Sequence, residues 1–218
     1  MEPKAIGTFR RRGQYIFRTE ARLQWGDSTN PLGLIIMLNP GSSKLANSSR
    51  WLAFERATND DDLIDKELEL DKTMEAVSTI LEQSHPKLNG ILEIRNLFNL
   101  RTARSNAKEA ISTYKEVREQ RIYEDVLHSK FEDLVSFPWV WIGWTVDPSP
   151  KIKQRKLHIL KRLPHGKQRF GIYKEPPADI LNQEYYSKHP FPQLAREVDK
   201  YRKEMVQQMQ DYWKGITV

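Results

Sequence analysis

Leu32 to Gly41 (LGLIIMLNPG) restricts the fold of this chain more than any other stretch. An apolar run with the β-branched pair Ile35 and Ile36 suits a strand buried on both faces, as in a parallel sheet covered by helices. Asn39-Pro40-Gly41 ends it: proline removes a backbone donor and glycine permits positive φ, so the chain turns there. Ser42 and Ser43 follow, leaving a polar loop at the carboxyl end of a buried strand. In open α/β sheets that edge is where ligand sites form.

The remaining segments are read as further strands feeding the same edge. Residues 5 to 25 alternate around Gly13 and predict an N-terminal β-hairpin running into Leu23 and Trp25. Residues 42 to 63 read as irregular or shortly helical, with Trp51 and Phe54 as packing residues. Leu70, Met74, Val77 and Leu81 recur at helical spacing and predict a helix over roughly residues 66 to 84. Ile91 to Leu97 reads as a second strand, ending in Asn96-Leu97-Phe98-Asn99. A long helical stretch follows, then an aromatic strand from Phe137 to Trp144. A basic helix starts at Pro148 to Pro150, a fourth strand covers Gln168 to Tyr173, and a final helix carries Leu194, Val198, Tyr201, Met205 and Met209. Strands alternating with helices imply an α/β fold: a three-layer α/β/α arrangement with a mostly parallel central sheet, in a single domain spanning 1-218.

Charge narrows the choice of partner. The chain of 218 residues has a net charge of +6, which favours a polyanion. Arg10, Arg11 and Arg12 cluster near the start, and Lys151, Lys153, Arg155, Lys156, Lys161, Arg162, Lys167 and Arg169 crowd one later segment. Residues 60 to 75 are acidic instead, so the surface is polarised. Cysteine is absent, which excludes disulfides, thiolate metal sites and cysteine-ligated clusters. His158 and His165 do not form a ligand pair, so no metal and no cofactor is expected. With no apolar leader in the first twenty residues and no membrane-length apolar run, the expectation is a cytoplasmic monomer away from membranes.

Three strand ends deliver polar groups: Asn39, then Asn96 and Asn99, then the loop holding Lys188 and His189. Each has an ordinary explanation. An Asn-Pro-Gly turn is commonly just a turn, a strand-ending Asn caps its own backbone, and a His before Pro sits in a surface loop. Their order and spacing carry more. Leu38-Asn39-Pro40-Gly41 resembles the first motif of the uracil-DNA glycosylase superfamily, nearest the Gly-Ile-Asn-Pro-Gly form of the mismatch-specific and thymine-DNA glycosylases. His189-Pro190-Phe191-Pro192 resembles the His-Pro-Ser-Pro motif of the uracil glycosylases. Asn96 falls where that superfamily has a strand-ending Asn that reads the base edge, and Trp141-Ile142-Gly143 resembles its Leu-Trp-Gly strand. The resemblance covers roughly residues 32 to 195 and rests on about ten residues. Arg22-Leu23-Gln24-Trp25 followed by Leu-Asn-Pro also resembles an uncharacterised bacterial and phage family. Met37 replaces the motif's first Gly and Phe191 replaces a Ser, which shifts the expected substrate from uracil alone toward other altered bases.

The resemblance implies a monofunctional DNA glycosylase. Removing uracil, a mismatched thymine or a hypermodified phage pyrimidine would leave an abasic site, in repair or in defence against phage. Hydrolysis of an N-glycosidic bond passes through an oxocarbenium-like sugar and needs a positioned water and a stabilised leaving base, drawn from a flipped nucleotide. Asn39 is the candidate for the water and His189 for the leaving base or a flanking phosphate. Pro40, Gly41, Ser42, Asn96 and Phe98 are expected at the base, with Phe54 and Trp144 as further stacking candidates. Arg10, Arg11, Arg12, Lys151, Lys153, Arg155 and Lys188 are expected on DNA phosphates. Two alternatives stay open: a catalytically silent nucleic-acid-binding module of the same fold, and another enzyme on a doubly wound sheet acting on a free nucleotide, for which no Gly-rich phosphate loop is present.

Overall fold

A computed structural model describes residues 2–102, 107–145, 150–173, 187–190 and 195–216. The organising stretch is a strand, β3 (Pro31–Met37), buried from Gly33 onward. It is flanked by two parallel partners, β5 (Gly90–Asn96) and β6 (Trp139–Gly143). β6 is buried at every position, so no alternation shows in its sequence. β7 (Gln168–Phe170) adds a third parallel pairing at that end.

The sheet is mixed, which corrects the expectation of a mostly parallel one. Its order is β4-β1-β2-β5-β3-β6-β7. The hairpin of β1 (Lys4–Arg12) and β2 (Tyr15–Trp25) does not precede the sheet. β2 pairs antiparallel with β5 and carries the sheet outward, with β4 (Asp61–Glu67) antiparallel on β1 at the edge. β4 corrects a second expectation, that of irregular or shortly helical chain to residue 63 and a helix from about residue 66, which begins only at Lys72. Only Leu63 of this strand is buried, so it has no alternating apolar pattern to announce it. It is an edge strand held through charge, with Asp62 bound to Arg10 and Arg12.

Helices α1 (Ser48–Arg56), α2 (Lys72–Ser84), α3 (Ala107–Gln120), the single turn α4 (Glu124–Leu127), α5 (Pro150–Arg162) and α6 (Ala195–Ile216), with a 3₁₀ turn at Leu134–Ser136, complete the described elements. α2 begins where the Asp71 side chain accepts from the Thr73 and Met74 amides, both at 2.9 Å, satisfying donors a helix start leaves open. Two apolar clusters form the core. One contains Phe9, Ile16, Met37, Trp51, Phe54 and Ile94 with residues of α2 and α6. The other contains Phe17, Ile36, Phe98, Trp144 and residues of α3, α4 and α5. Among the described residues no helix is long and apolar enough to cross a membrane.

Candidate active site

The carboxyl ends of the three central strands finish level. Met37 is in register with Asn96 on one side and Gly143 on the other. The ladder then runs past the strands, Leu97 N donating to Met37 O at 2.8 Å and Phe98 N to Leu38 O at 3.2 Å. Asn39 therefore emerges directly beside the Asn96 strand end. The His189 loop joins them from the other side. Ser187 Oγ donates to Ile142 O, and Lys188 N donates to Ile172 O at 2.7 Å. A Cβ on Gly143 would lie 2.8 Å from the Pro190 ring, so only glycine lets Pro190 pack there. The Asn39, Asn96 and His189 segments, distant in sequence, thus meet along one sheet edge.

Asn39 is half-buried, and its Nδ2 donates to Thr102 Oγ1 at 2.7 Å. That bond orients the amide, and among the described residues Oδ1 has no hydrogen-bond partner. Thr102 N donates to Gly41 O at 3.1 Å, which fixes the turn with Gly41 at φ +59°. Pro40 is buried, Ser42 is exposed, and a Cβ on Gly41 would meet nothing within 4 Å, so the turn borders open space. Arg101 holds the next step, its Nε donating to Ser43 O at 2.6 Å while its guanidinium lies 4.6 Å from the Trp51 ring and pairs with Glu55 at 3.1 Å. Burial lowers the Arg101 pKa, with Glu55 opposing the shift.

Asn96 is 2% exposed, and its Oδ1 has no hydrogen-bond partner. Asn99 is different: its Nδ2 donates to Val126 O and its Oδ1 accepts from Ser129 Oγ, so its amide belongs to the scaffold. Ser43 Oγ is buried and also lacks a partner. The most unusual group is not among the residues the sequence singles out. Arg18 is 1% exposed, and none of its three side-chain nitrogens has an acceptor. Burial lowers its pKa to about 10, with the Asp71 carboxylate acting against that shift. Arg18 is opposite Phe9 in the hairpin register, as Asn96 is opposite Met37. Directly paired residues share a sheet face, so Arg18 and Asn96 both face the cluster containing Phe9 and Met37. Arg18 N donates to Asn99 O, and Arg101 N to Ile16 O, which ties Arg18, Asn96 and Ser43 into one region. The sequence does hold a signal: Arg18 stands two residues after the inward Ile16, at an inward position of the strand.

Several expected residues take other roles. Phe98 is fully buried and stacks on Tyr114 at 4.5 Å and 17°. Phe54 packs on Phe9 and Trp51, and Trp144 is fully buried. All three are core residues, which corrects their assignment as platforms for a base. The Arg10 to Arg12 triplet is likewise not an open phosphate surface. Arg10 and Arg12 share Asp62 at 2.6 and 2.8 Å, and Arg11 is 3% exposed, donating to Phe54 O, Glu55 O and Gly13 O. Lys156 is buried, with Nζ on Thr145 O at 2.7 Å. Arg155 is half-buried and donates to Ser129 O at 2.6 Å. Lys153 is exposed on α5, Lys151 lies in its first turn, and Lys188 lies 3.8 Å from Glu197. His189 is half-buried beside Pro190, while Phe191 and Pro192 lie outside the described residues. A cleft beside this loop is lined by Ile172, Lys188, Glu197, Lys200, Tyr201 and Glu204, two acids against two lysines. Among the described residues no three acidic or histidine side chains group as metal ligands.

These features define an α/β protein with a mixed sheet and a polar, incompletely satisfied site at the carboxyl edge. The chain matches no family model, no curated protein and no solved structure.

Proposed function

We propose that the protein is a monofunctional DNA glycosylase of three-layer α/β/α, uracil-DNA-glycosylase-like architecture. It would act as a monomer, hydrolysing the N-glycosidic bond of an altered base and leaving an abasic site. The observation that carries this reading is the set of buried, unpartnered polar groups beside the Asn-Pro-Gly turn: the Arg18 guanidinium, Asn96 Oδ1 and Ser43 Oγ. Burying polar groups without partners is costly, most of all for a charge, and a ligand that completes them explains why they are kept.

Each group has a role in that chemistry. Asn39 Oδ1, with its amide held by Thr102, accepts from the attacking water and places it, a contribution of positioning more than basicity. Asn96 Oδ1 accepts from a ring N–H of the flipped base. The Arg18 guanidinium donates to a base carbonyl and stabilises the negative charge that develops as the bond breaks, in surroundings where water does not weaken it. His189 serves the leaving base or a flanking phosphate. A base presenting a carbonyl next to an N–H, as uracil and thymine do, suits an arginine and an amide oxygen on one sheet face.

Met37 favours a second reading. It is 4% exposed, faces the same cluster as Asn96 and stands where the resembled motif has glycine. If it fills the base position, the protein is a silent nucleic-acid-binding module. Release of free base from DNA containing uracil, G·T mismatches, hydroxymethylcytosine or its glucosylated forms separates the two. Release abolished by Asn39→Ala supports the glycosylase, whereas DNA binding with no release from any substrate supports the silent module.

A further inference from the structure

We infer that Tyr114, Arg118, His128 and Arg155 form a second oxyanion site, which takes a phosphate group. The four residues come from three segments behind the Asn96 strand end. Tyr114 and Arg118 are one turn apart on α3, His128 follows α4, and Arg155 is on α5. The Tyr114 hydroxyl lies 3.0 Å from His128 Nε2, and the rings meet edge to face at 5.8 Å. The positive charges of Arg118 and Arg155 act on both this hydroxyl and the imidazole. Arg155 is held in place by Ser129 O at 2.6 Å and by the Phe131 ring at 5.5 Å, and its Nε is buried without an acceptor.

What distinguishes the cluster is its charge. Two guanidiniums act electrostatically on one hydroxyl and one imidazole. The carboxylate acting on Arg155 is Glu132, which lies 3.8 Å from Arg162. The pair Arg10 and Arg12, by contrast, shares Asp62 at hydrogen-bond distance. Burial and the two arginines push the His128 pKa down to about 4. The imidazole is therefore neutral at physiological pH, and its Nε2 shares a hydrogen bond with the Tyr114 hydroxyl. An arginine fork matches the oxygens of a phosphate, and an anion placed between Arg118 and Arg155 would also reverse the field on His128. Binding is thus coupled to His128 protonation: the bound phosphate raises the imidazole pKa toward its ordinary value. The phosphate would come from the DNA backbone or from a free nucleotide. Neither source requires N-glycosidic cleavage, so the inference stands apart from the reading of the Asn39 site.

The test follows the His128 imidazole of the whole protein by NMR during titration with inorganic phosphate, a deoxynucleoside monophosphate and a short DNA duplex at low salt. Saturable movement of the His128 resonances, with a raised pKa, is expected. Arg118→Gln, at a half-buried helix position, should weaken binding roughly tenfold or more, the scale of one charge-assisted hydrogen bond. Arg155→Gln provides a second variant, with folding checked separately because Arg155 also anchors Ser129. Movement with the duplex alone assigns the phosphate to the nucleic-acid backbone, and movement with phosphate and the nucleotide assigns it to a free ligand. No saturable movement with any of the three, or movement unchanged in Arg118→Gln, overturns the proposal.

Discussion

Arg11 and Arg18 lie on facing strands of one hairpin, both almost wholly buried, and they have opposite surroundings. Arg11 donates to three backbone carbonyls, those of Gly13, Phe54 and Glu55, and lies 5.5 Å from the Phe54 ring. It ties the hairpin to the end of α1, where the last helical carbonyls need donors. Arg18 has no acceptor for any side-chain nitrogen, and its pKa falls to about 10. Burial by itself therefore says little about an arginine; what its N–H groups meet decides its role. Arg11 is satisfied by the fold, and Arg18 is not.

The largest expected effect comes from removing the unsatisfied cation. Arg18→Met should reduce base release by roughly 10²–10³-fold, the cost of losing one preorganised donor to a developing anion. The same change should leave stability unchanged or raise it by about 2 kcal/mol, since a buried unpaired charge is replaced by an apolar chain of similar length. Urea unfolding alongside the release assay checks both. A variant that loses stability in step with activity would erase the contrast with Arg11.

Arg11→Met should do the reverse, costing about 3 kcal/mol or more because several backbone carbonyls lose a charged donor. Per folded molecule, base release should change little. Chemical denaturation followed by single-turnover assays of the folded fraction separates these outcomes.

His128 extends the comparison to a half-buried base beside two arginines. Its folded pKa of about 4 lies below the ordinary 6.5, so the folded state takes up its proton later than the unfolded state does. The resulting stability is present above pH 6.5 and is lost as pH falls toward about 4, by about 3 kcal/mol. His128→Gln should flatten that part of the pH–stability profile, and the difference between the two profiles isolates the group from titrating carboxylates. The smallest effect is expected from Arg10→Ala combined with Arg12→Ala. These partly exposed pairs with Asp62 should contribute about 1 kcal/mol together. The slope of DNA affinity against salt should not change, because these arginines already have a counter-ion. A reduced slope would return the N-terminal triplet to the DNA-binding surface.

Much of this arrangement is legible along the chain. The stretch from Leu32 to Gly41 reads as a buried strand ended by a turn because apolar run length, β-branching and an Asn-Pro-Gly stop are local properties. Asn96 and His189 read as strand-edge residues for the same reason, and both lie at the carboxyl edge. β4 was not legible, since a charged edge strand with one buried residue has no pattern of its own. The mixed sheet was not legible either: whether a hairpin stands apart or pairs with β5 depends on a partner some seventy residues away.

Local patterning thus determined the central strands and the main helices, the turn at Asn39 and the edge toward which the polar residues converge. Only the tertiary structure decided which charges are available there. Arg10, Arg11, Arg12 and Lys156 look in sequence like phosphate ligands. Asp62, backbone carbonyls of residues 13, 54 and 55, and Thr145 O, most of them distant along the chain, occupy them instead. Arg18, unremarkable between Phe17 and Thr19, has no such partner. A charge's meaning lies in its nearest opposite dipole or ion, and long-range folding alone sets that distance.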